Sequence, residues 1–316
     1  MDETLADAIS FRQAMSSVAH RLRTESENGN GWFFRVYQPE YVVDPESGDK
    51  ILFEDAEDEL LTTEPSCWTL KHGEEWHGYQ DPDSPDDYCM LDPAKVTILT
   101  PGVNAQGIMS DWGIPAAILT EFLDSRRVEI ARTGDYTVLV LFSVGTSKGK
   151  WGSLLENLFE FKRLYDSEAS LEEALPELVQ RFPARYRNLS LKDLSEEMHR
   201  AMIELDLAGL VNAACDEEFD PVLTPWQTYQ RLVRHETERI PFRQMVGRVA
   251  AAMLVPYPPG IPMSMPGERL GSAESPVVKL ILAMEEFGKL FPGFEREVHG
   301  IEVDGSGNYW MRAVIE

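Results

Sequence analysis

A polar turn, Ser110-Asp-Trp-Gly-Ile-Pro115, separates the apolar run Val96-Thr-Ile-Leu99 from a helix predicted over Pro115 to Ser125. Loops that follow a strand and enter a helix often hold ligands, because a rigid scaffold positions their polar groups. Asp111 could cap the following helix or contact a substrate. Capping is favoured, because an aspartate near the first turn of a helix is stabilising without any ligand. The candidate cleft or substrate-channel residues of this turn are Ser110, Asp111 and Trp112.

A second glycine-rich turn, Gly145-Thr-Ser-Lys-Gly-Lys-Trp-Gly152, carries two lysines between an apolar strand and a helix. Backbone N–H groups and lysines at such a turn can hold an anion. A P-loop has four residues between its first glycine and the Gly-Lys pair, and a Ser or Thr after the lysine. Here three residues intervene and Trp151 follows. Nucleotide binding, an anion or cofactor contact and an ordinary solvated helix start all stay open, and the last is favoured.

Soft and borderline metal ligands occur at Cys67, His72 and His77, with Cys89 further on. Their spacing matches no zinc ribbon or finger. An imidazole in the irregular segment Trp76-His-Gly-Tyr79 can equally bond to the backbone, so we predict no metal site.

The run Val255-Pro-Tyr-Pro-Pro-Gly-Ile-Pro-Met-Ser-Met-Pro-Gly-Glu268 fixes an extended backbone, because each proline locks φ and removes a donor. Such a rigid segment suits the wall of a cleft, and it suits a connector that crosses the core equally well. Tyr257 and Glu268 are its candidate cleft residues. Glu268 and Arg248 either form an ion pair or face a cleft.

The elements that position these residues form two groups. A helix is predicted over residues 3–24, a strand over 32–39, then strands and helices over 96–102, 115–125, 128–131, 136–144 and 151–165. This β-α-β-β-α order implies an α/β layer, with an antiparallel hairpin around Arg132-Thr-Gly-Asp135. After residue 170 the pattern favours helices at 171–180, 191–207 and 276–290, the last opened by Ser275-Pro276.

Composition excludes several classes of partner. The net charge of −25 over 316 residues disfavours nucleic acid and anionic membranes, and it favours a cationic ligand. Three widely spaced cysteines suit a reducing compartment, so the cytoplasm is the predicted location. We find no apolar run long enough to span a bilayer.

Several of these segments together resemble one family, the bacterial inducible ornithine/lysine/arginine decarboxylases, which depend on pyridoxal phosphate. The segments are Leu91–Gly102, Ser110–Ala116, Leu141–Gly145 with Lys148–Trp151, Phe161–Arg163 and Met245–Glu268. The resemblance covers only the carboxyl-terminal part of those enzymes. It implies an α/β (α+β) fold: a helix over residues 1–30 that leaves an absent cofactor domain, the small domain of the aspartate-aminotransferase-like fold over 31–170, and the family's C-terminal domain over 171–316.

The resemblance also implies an activity and its limits. The family removes the α-carboxyl of a basic amino acid, here lysine or arginine, to give cadaverine or agmatine. Its Schiff-base lysine lies in a Ser-x-His-Lys motif, and no His-Lys dipeptide occurs in this sequence. We therefore expect no covalently held cofactor and no activity of the chain alone. The implied partners are a cofactor domain or full-length decarboxylase subunit, and further copies in a homo-oligomer. The alternative is a non-catalytic assembly or binding module that docks on a full-length decarboxylase.

Overall fold

The computed structural model of the chain describes residues 2–24, 31–74, 76–79, 87–104 and 106–316. The chain divides into two compact units, Met1–His199 and Arg200–Glu316. The sequence predicts a boundary after residue 170, whereas residues 171–199 pack with the first unit. The Leu171 N–H donates to the Leu189 carbonyl, and the Leu191 N–H donates to the Ala169 carbonyl, so the chain folds back directly after residue 170. As an assignment of family domains, the division into 1–30, 31–170 and 171–316 stays a prediction.

The first unit combines helices with short strands. Its helices are α1 (Asp2–Thr24), α2 (Asp58–Thr63), α3 (Ala116–Ser125), α4 (Lys148–Asp166), α5 (Leu171–Ala174), α6 (Pro176–Arg181), α7 (Pro183–Tyr186) and α8 (Leu191–Glu204), which crosses the unit boundary. Its strands are β1 (Arg35–Val36), β2 (Tyr41–Val43), β3 (Lys50–Leu52), β4 (Thr69–Lys71), β5 (Tyr88–Met90), β6 (Lys95–Leu99), β7 (Arg132–Thr133) and β8 (Thr137–Leu141).

An antiparallel sheet of order β1-β6-β8-β7 forms the centre of this unit. Val96, Ile98 and Val138 are fully buried on it, which gives the alternation of a strand with one face on a core. The predicted hairpin is confirmed, but its first strand is Arg132–Thr133 and not 128–131. The Gly134 N–H donates to the Thr137 carbonyl, so the turn is tight. The strand that pairs with β8 is therefore β7, which lies directly before the turn.

The first helix is confirmed, and its buried side holds a charge. Ala8, Ile9, Phe11 and Met15 are buried as the apolar spacing requires, and Arg12 is fully buried among them. Phe11 contacts the rings of Phe142 and Trp151, with centroids 5.6 and 6.0 Å away. This contact holds α1 against the start of α4.

The second unit has its own helices and sheets. The helices are α9 (Leu207–Cys215), α10 (Pro225–Val233) and α11 (Pro276–Leu290). The strands are β9 (Asp220–Pro221), β10 (Thr237–Pro241), β11 (Val255–Pro256), β12 (Glu268–Arg269), β13 (Val298–His299), β14 (Ile301–Val303) and β15 (Tyr309–Val314). An antiparallel sheet of order β10-β15-β14 is its largest.

The helix predicted at 276–290 is confirmed. The Ser275 hydroxyl accepts the Val278 N–H, and Pro276 occupies the first helical position, where it leaves no donor unsatisfied. Glu217 accepts the Ser275 hydroxyl proton and the Val277 N–H, so its negative charge lies at the positive end of the helix. The prediction that the proline run is extended throughout is wrong, because turns at residues 257–260 and 266–267 interrupt it between β11 and β12, with Gly260 at φ +80° and Gly267 at φ +97°. None of the helices in the described ranges is both long and apolar enough to cross a bilayer.

Candidate functional site

The predicted turn at Ser110 to Pro115 belongs to a loop that begins after β6. The Ser110 N–H donates to the Gly102 carbonyl at 2.9 Å, and the Val103–Met109 bridge closes the loop. Asp111 is exposed. The favoured role of Asp111 as a helix cap is wrong, because α3 starts at Ala116 with Pro115 as its N-cap and no side-chain cap. The Ala116 N–H instead donates to the Asp135 carbonyl.

A buried histidine fixes this loop from inside. His199 Nε2 donates to the Ser110 carbonyl at 2.9 Å, and the Tyr136 hydroxyl lies 2.7 Å from His199 Nδ1. A Cβ on Gly113 would approach His199 Nδ1 to 2.5 Å, and a Cβ on Gly102, at φ +140°, would approach the Tyr136 ring to 2.1 Å. Both glycines therefore let the loop close over the Tyr136–His199 pair. Sequence reasoning missed this pair, because 63 residues separate its members.

A cleft of about 800 Å³ opens between α1, the segment 35–40 and the end of β6. We call it the large cleft. Its lining includes the carboxylates of Glu40 and Glu54, the guanidinium of Arg35 and the imidazoles of His20 and His77. His20 Nδ1 lies 3.5 Å from Glu54 Oε1, and the Glu54 side chain is only 16% exposed. The two carboxylates give this cleft groups that accept hydrogen bonds from a cationic ligand, and Arg35 adds one positive charge to the same lining.

Arg12 holds the wall of the large cleft. Its guanidinium donates to the carbonyls of Pro93, Tyr37 and Lys95 and to the side-chain oxygen of Gln38. Burial lowers the pKa of Arg12 to about 10, an effect that the nearby Asp92 carboxylate opposes. Arg12 stays charged at neutral pH and ties α1 to both neighbouring chain segments.

A smaller cavity of about 230 Å³ shares Ala19, Arg35 and Thr100 with the large cleft. We call it the small cavity. Its other lining residues are Trp32, Phe33, Pro101 and Trp112. Trp112 is 48% exposed, and its ring centroid lies 6.3 Å from that of Phe33. Of the three residues predicted in the turn, Trp112 lines the small cavity, whereas Ser110 and Asp111 line neither it nor the large cleft.

The lysine-bearing turn at Gly145–Gly152 bonds to its own chain. Lys150 Nζ donates to the Gly145 carbonyl at 2.7 Å, and Trp151 Nε1 donates to Asp7 Oδ1 at 3.1 Å. No lysine lines the large cleft or the small cavity of the described residues. These cavities therefore do not fit a Schiff base with pyridoxal phosphate, and we derive no step through that group.

The cysteine and histidine residues singled out by their spacing lie in different surroundings. Cys67 is buried in a core cluster with Ile9 and Phe53, whereas Cys89 is exposed on β5. His77 Nδ1 accepts the Tyr79 N–H at 2.8 Å, which confirms the predicted bond to the backbone. Nothing in the described ranges brings three metal-ligating side chains together.

The candidates in the proline run belong to the second unit. Tyr257 is partly exposed and lies edge-on to His299, with ring centroids 5.2 Å apart. Glu268 Oε2 accepts the Met265 N–H, and the Arg248 guanidinium pairs with Glu238. The Glu268–Arg248 ion pair that the sequence left open is not formed.

Two sequence models of one family match the chain. The model described as "Orn/Lys/Arg decarboxylase, major domain" matches residues 1–150, and "Orn/Lys/Arg decarboxylase, C-terminal domain" matches residues 208–315. The constitutive lysine decarboxylase of Escherichia coli K12 is 40% identical over 99% of this chain, which covers 40% of that protein. The biodegradative arginine decarboxylase of the same strain is 38% identical over 95% of this chain and 39% of its own length.

Solved structures agree with these matches. The structure of the E. coli constitutive lysine decarboxylase superposes with a TM-score of 0.82 at 39% identity, over 98% of this chain and 40% of that one. Lysine decarboxylase A from Pseudomonas aeruginosa superposes with a TM-score of 0.84 at 37% identity, over 99% of this chain and 39% of that one. The mixed α and β architecture that the resemblance implied is confirmed. The chain belongs to the Orn/Lys/Arg decarboxylase family and spans about two-fifths of the length of the relatives it matches.

Proposed function

We propose that this chain is the carboxyl-terminal part of a pyridoxal-phosphate-dependent decarboxylase of lysine or arginine, and that it contributes one wall of the active site. The observation that carries this proposal is the match to lysine and arginine decarboxylases over 95% or more of the chain. The matched constitutive ornithine decarboxylase of E. coli is more distant, at 31% identity over 87% of the chain. The products are cadaverine or agmatine, and a cytoplasmic location follows from the three cysteines, none of them in a disulfide.

The large cleft supports a basic substrate. Glu40 and Glu54 line it and accept hydrogen bonds from an ammonium or guanidinium group, and the net charge of −25 raises the local concentration of cations. Pyridoxal phosphate, when bound in the intact enzyme, supplies the electron sink for loss of the carboxyl group. Its anchoring lysine comes from the partner cofactor domain or full-length subunit, because no lysine lines either described cavity of the first unit.

We therefore propose that the chain is inactive by itself. The purified protein is mixed with pyridoxal phosphate and L-lysine or L-arginine, and released CO2 and diamine are measured beside the full-length constitutive lysine decarboxylase of E. coli. The expected result is no substrate-dependent CO2 from this chain. Co-expression with a cofactor domain should then restore turnover. Lysine-dependent CO2 from the purified chain alone would overturn the proposal.

The alternative function, a non-catalytic module that docks on a full-length decarboxylase, is favoured by exposed apolar side chains. On α10, Trp226 and Tyr229 stack with centroids 5.9 Å apart and are 66% and 53% exposed. Val233 lies one turn further on the same helix and is also exposed. Exposed apolar patches mark interaction surfaces. Co-purification with a full-length decarboxylase, without restored or altered turnover, would support this function, whereas a chain that stays monomeric and unbound would exclude it.

A further inference from the structure

Helix α10 has two different faces. Thr228 is fully buried and Leu232, one turn further on, is half-buried, so this side of the helix packs inward. Trp226, Tyr229 and Val233 lie on another side, at the i, i+3 and i+7 positions that share a helix face, and they are 66%, 53% and 56% exposed. We call these three residues the aromatic stripe. Packing of α10 within its own unit accounts for the inward residues and leaves the aromatic stripe without a role.

The charge beside the aromatic stripe is positive. The segment Pro221 to His235 contains two arginines and no Asp or Glu, although the chain has 54 acidic residues and a net charge of −25. Arg231 pairs with Glu236 at 2.9 Å. Arg234 directly follows the stripe, is exposed, and has no ion-pair partner among the described residues. A surface of this sign attracts carboxylates on a partner and is complementary to an acidic one.

The size and spacing of the aromatic stripe indicate the kind of partner. With ~150–250 Å² for each large side chain, the stripe exposes roughly 350 Å². A stable contact between two copies of a chain needs about 800 Å² on each side, and two α10 helices that met directly would also set arginines against arginines. Apolar residues at i, i+3 and i+7 are typical of a helix that lies in a hydrophobic groove of another protein.

We propose that α10 anchors this chain to its partner decarboxylase subunit by inserting the aromatic stripe into an apolar groove whose rim carries carboxylates. The rings of Trp226 and Tyr229 stack with centroids 5.9 Å apart, so they enter the groove together, and Arg234 pairs with the rim. This anchoring role rests on the partnership with a decarboxylase subunit that both proposed functions require. It adds the contact surface on this chain and the chemistry of the surface that receives it.

The test measures binding of the full chain to the full-length constitutive lysine decarboxylase of E. coli by isothermal titration calorimetry, at low and at high salt. Trp226→Ala combined with Tyr229→Ala should weaken binding about a hundredfold or more, because two buried aromatic anchors are lost. Arg234→Glu should weaken it about tenfold at low salt and much less at high salt, since salt screens charges at the rim.

Matched variants separate the anchor from general effects. Tyr88→Ala removes an aromatic ring that is 61% exposed outside α10, and Arg243→Glu makes the same charge change at another exposed arginine. Both should bind like the wild-type chain. All variants should keep the wild-type Tm, because the substituted side chains are exposed.

The outcomes distinguish the anchor from the partnership. A wild-type chain that does not bind the decarboxylase would overturn both. Binding that the α10 variants retain would overturn the anchor alone, as would equal losses in the Tyr88 and Arg243 variants. Binding to phosphatidylglycerol vesicles in preference to the decarboxylase would identify the stripe as a membrane contact and would also overturn the anchor.

Discussion

Replacing the buried arginine of α1 tests how the wall of the large cleft is held. Arg12→Met keeps much of the side-chain volume and removes four hydrogen bonds, with donor–acceptor distances of 3.0, 3.3, 3.3 and 3.0 Å. It also removes the guanidinium that lies 5.3 Å from the ring centroid of Trp68. The carbonyls of Pro93, Tyr37 and Lys95 lose a donor at partly buried positions, where water replaces it only in part.

The size of the effect follows from two opposing contributions. Hydrogen bonds to a charged group contribute at least about 1.5 kcal/mol each, so four give about 6 kcal/mol. Burial of the charge opposes them: the fall of the Arg12 pKa from 12.5 to about 10 corresponds to roughly 3 kcal/mol. The net loss of unfolding free energy in Arg12→Met is therefore about 3 kcal/mol. For a unit of this size that lowers the Tm by about 6–12 °C.

Urea and thermal unfolding, followed by tryptophan fluorescence, measure this loss for the transition of the first unit, because the two units need not unfold together. Gln13→Met is the matched comparison. Among the described residues, the Gln13 side chain donates to the Ala56 carbonyl at 2.8 Å, and its replacement should cost about 1 kcal/mol. An Arg12→Met protein within 1 kcal/mol of wild type would show that burial cancels the network, and the reasoning would be refuted.

Three further predictions concern other groups. Tyr136→Phe should lose about 1–2 kcal/mol in urea unfolding, because His199 Nδ1 loses its buried partner; an unchanged midpoint would contradict this. Burial raises the pKa of the Cys67 thiol to about 11, so a thiol reagent should label the two exposed cysteines first, and mass spectrometry showing equal rates would count against it. Hydrogen bonds from Asn308 and Trp310 lower the pKa of Asp304, so its stabilising effect is full above about pH 5 and is lost as the pH falls through the folded-state pKa. Asp304→Ala should therefore destabilise the second unit at pH 7 and much less in strong acid, and a pH-independent difference in Tm would refute this.

Helices were predictable where local chemistry determines them. Ser275-Pro276 marks the start of α11 because a cap and an N1 proline act within one turn of the chain. The strand predicted over Trp32 to Pro39 is reduced to Arg35–Val36. The aromatic side chains before this strand pack on rings of distant segments, such as Phe34 on Phe161 with ring centroids 5.8 Å apart. These ring contacts take the place of a longer strand pairing. Tertiary packing of that kind leaves no local pattern.

The candidate site was predictable only in part, for the same reason. The turn at Ser110 was found because a polar turn between a strand and a helix is a local signal, and Trp112 does line a cavity. Arg35 and Thr100 were missed as lining residues. Each directly follows an apolar run, and no local pattern of residue types marks either one as part of a cleft. Only the pairing of β1 with β6, which sets Arg35 opposite Leu99, brings them to one cavity.

The residues that hold the cavity walls differ in kind from the residues that line them. Arg12 and His199 are buried and donate to main-chain carbonyls, including those of Tyr37 and Ser110. They therefore position the loops through the backbone, whatever side chains the loops carry. Arg35 is exposed and lines both the large cleft and the small cavity. We therefore expect substitutions of Arg35 to change the charge of the cavities while the fold persists, and substitutions of Arg12 or His199 to loosen the backbone of the walls. Arg35, as a lining residue of both cavities, is thus free to vary without loss of the scaffold that Arg12 and His199 maintain.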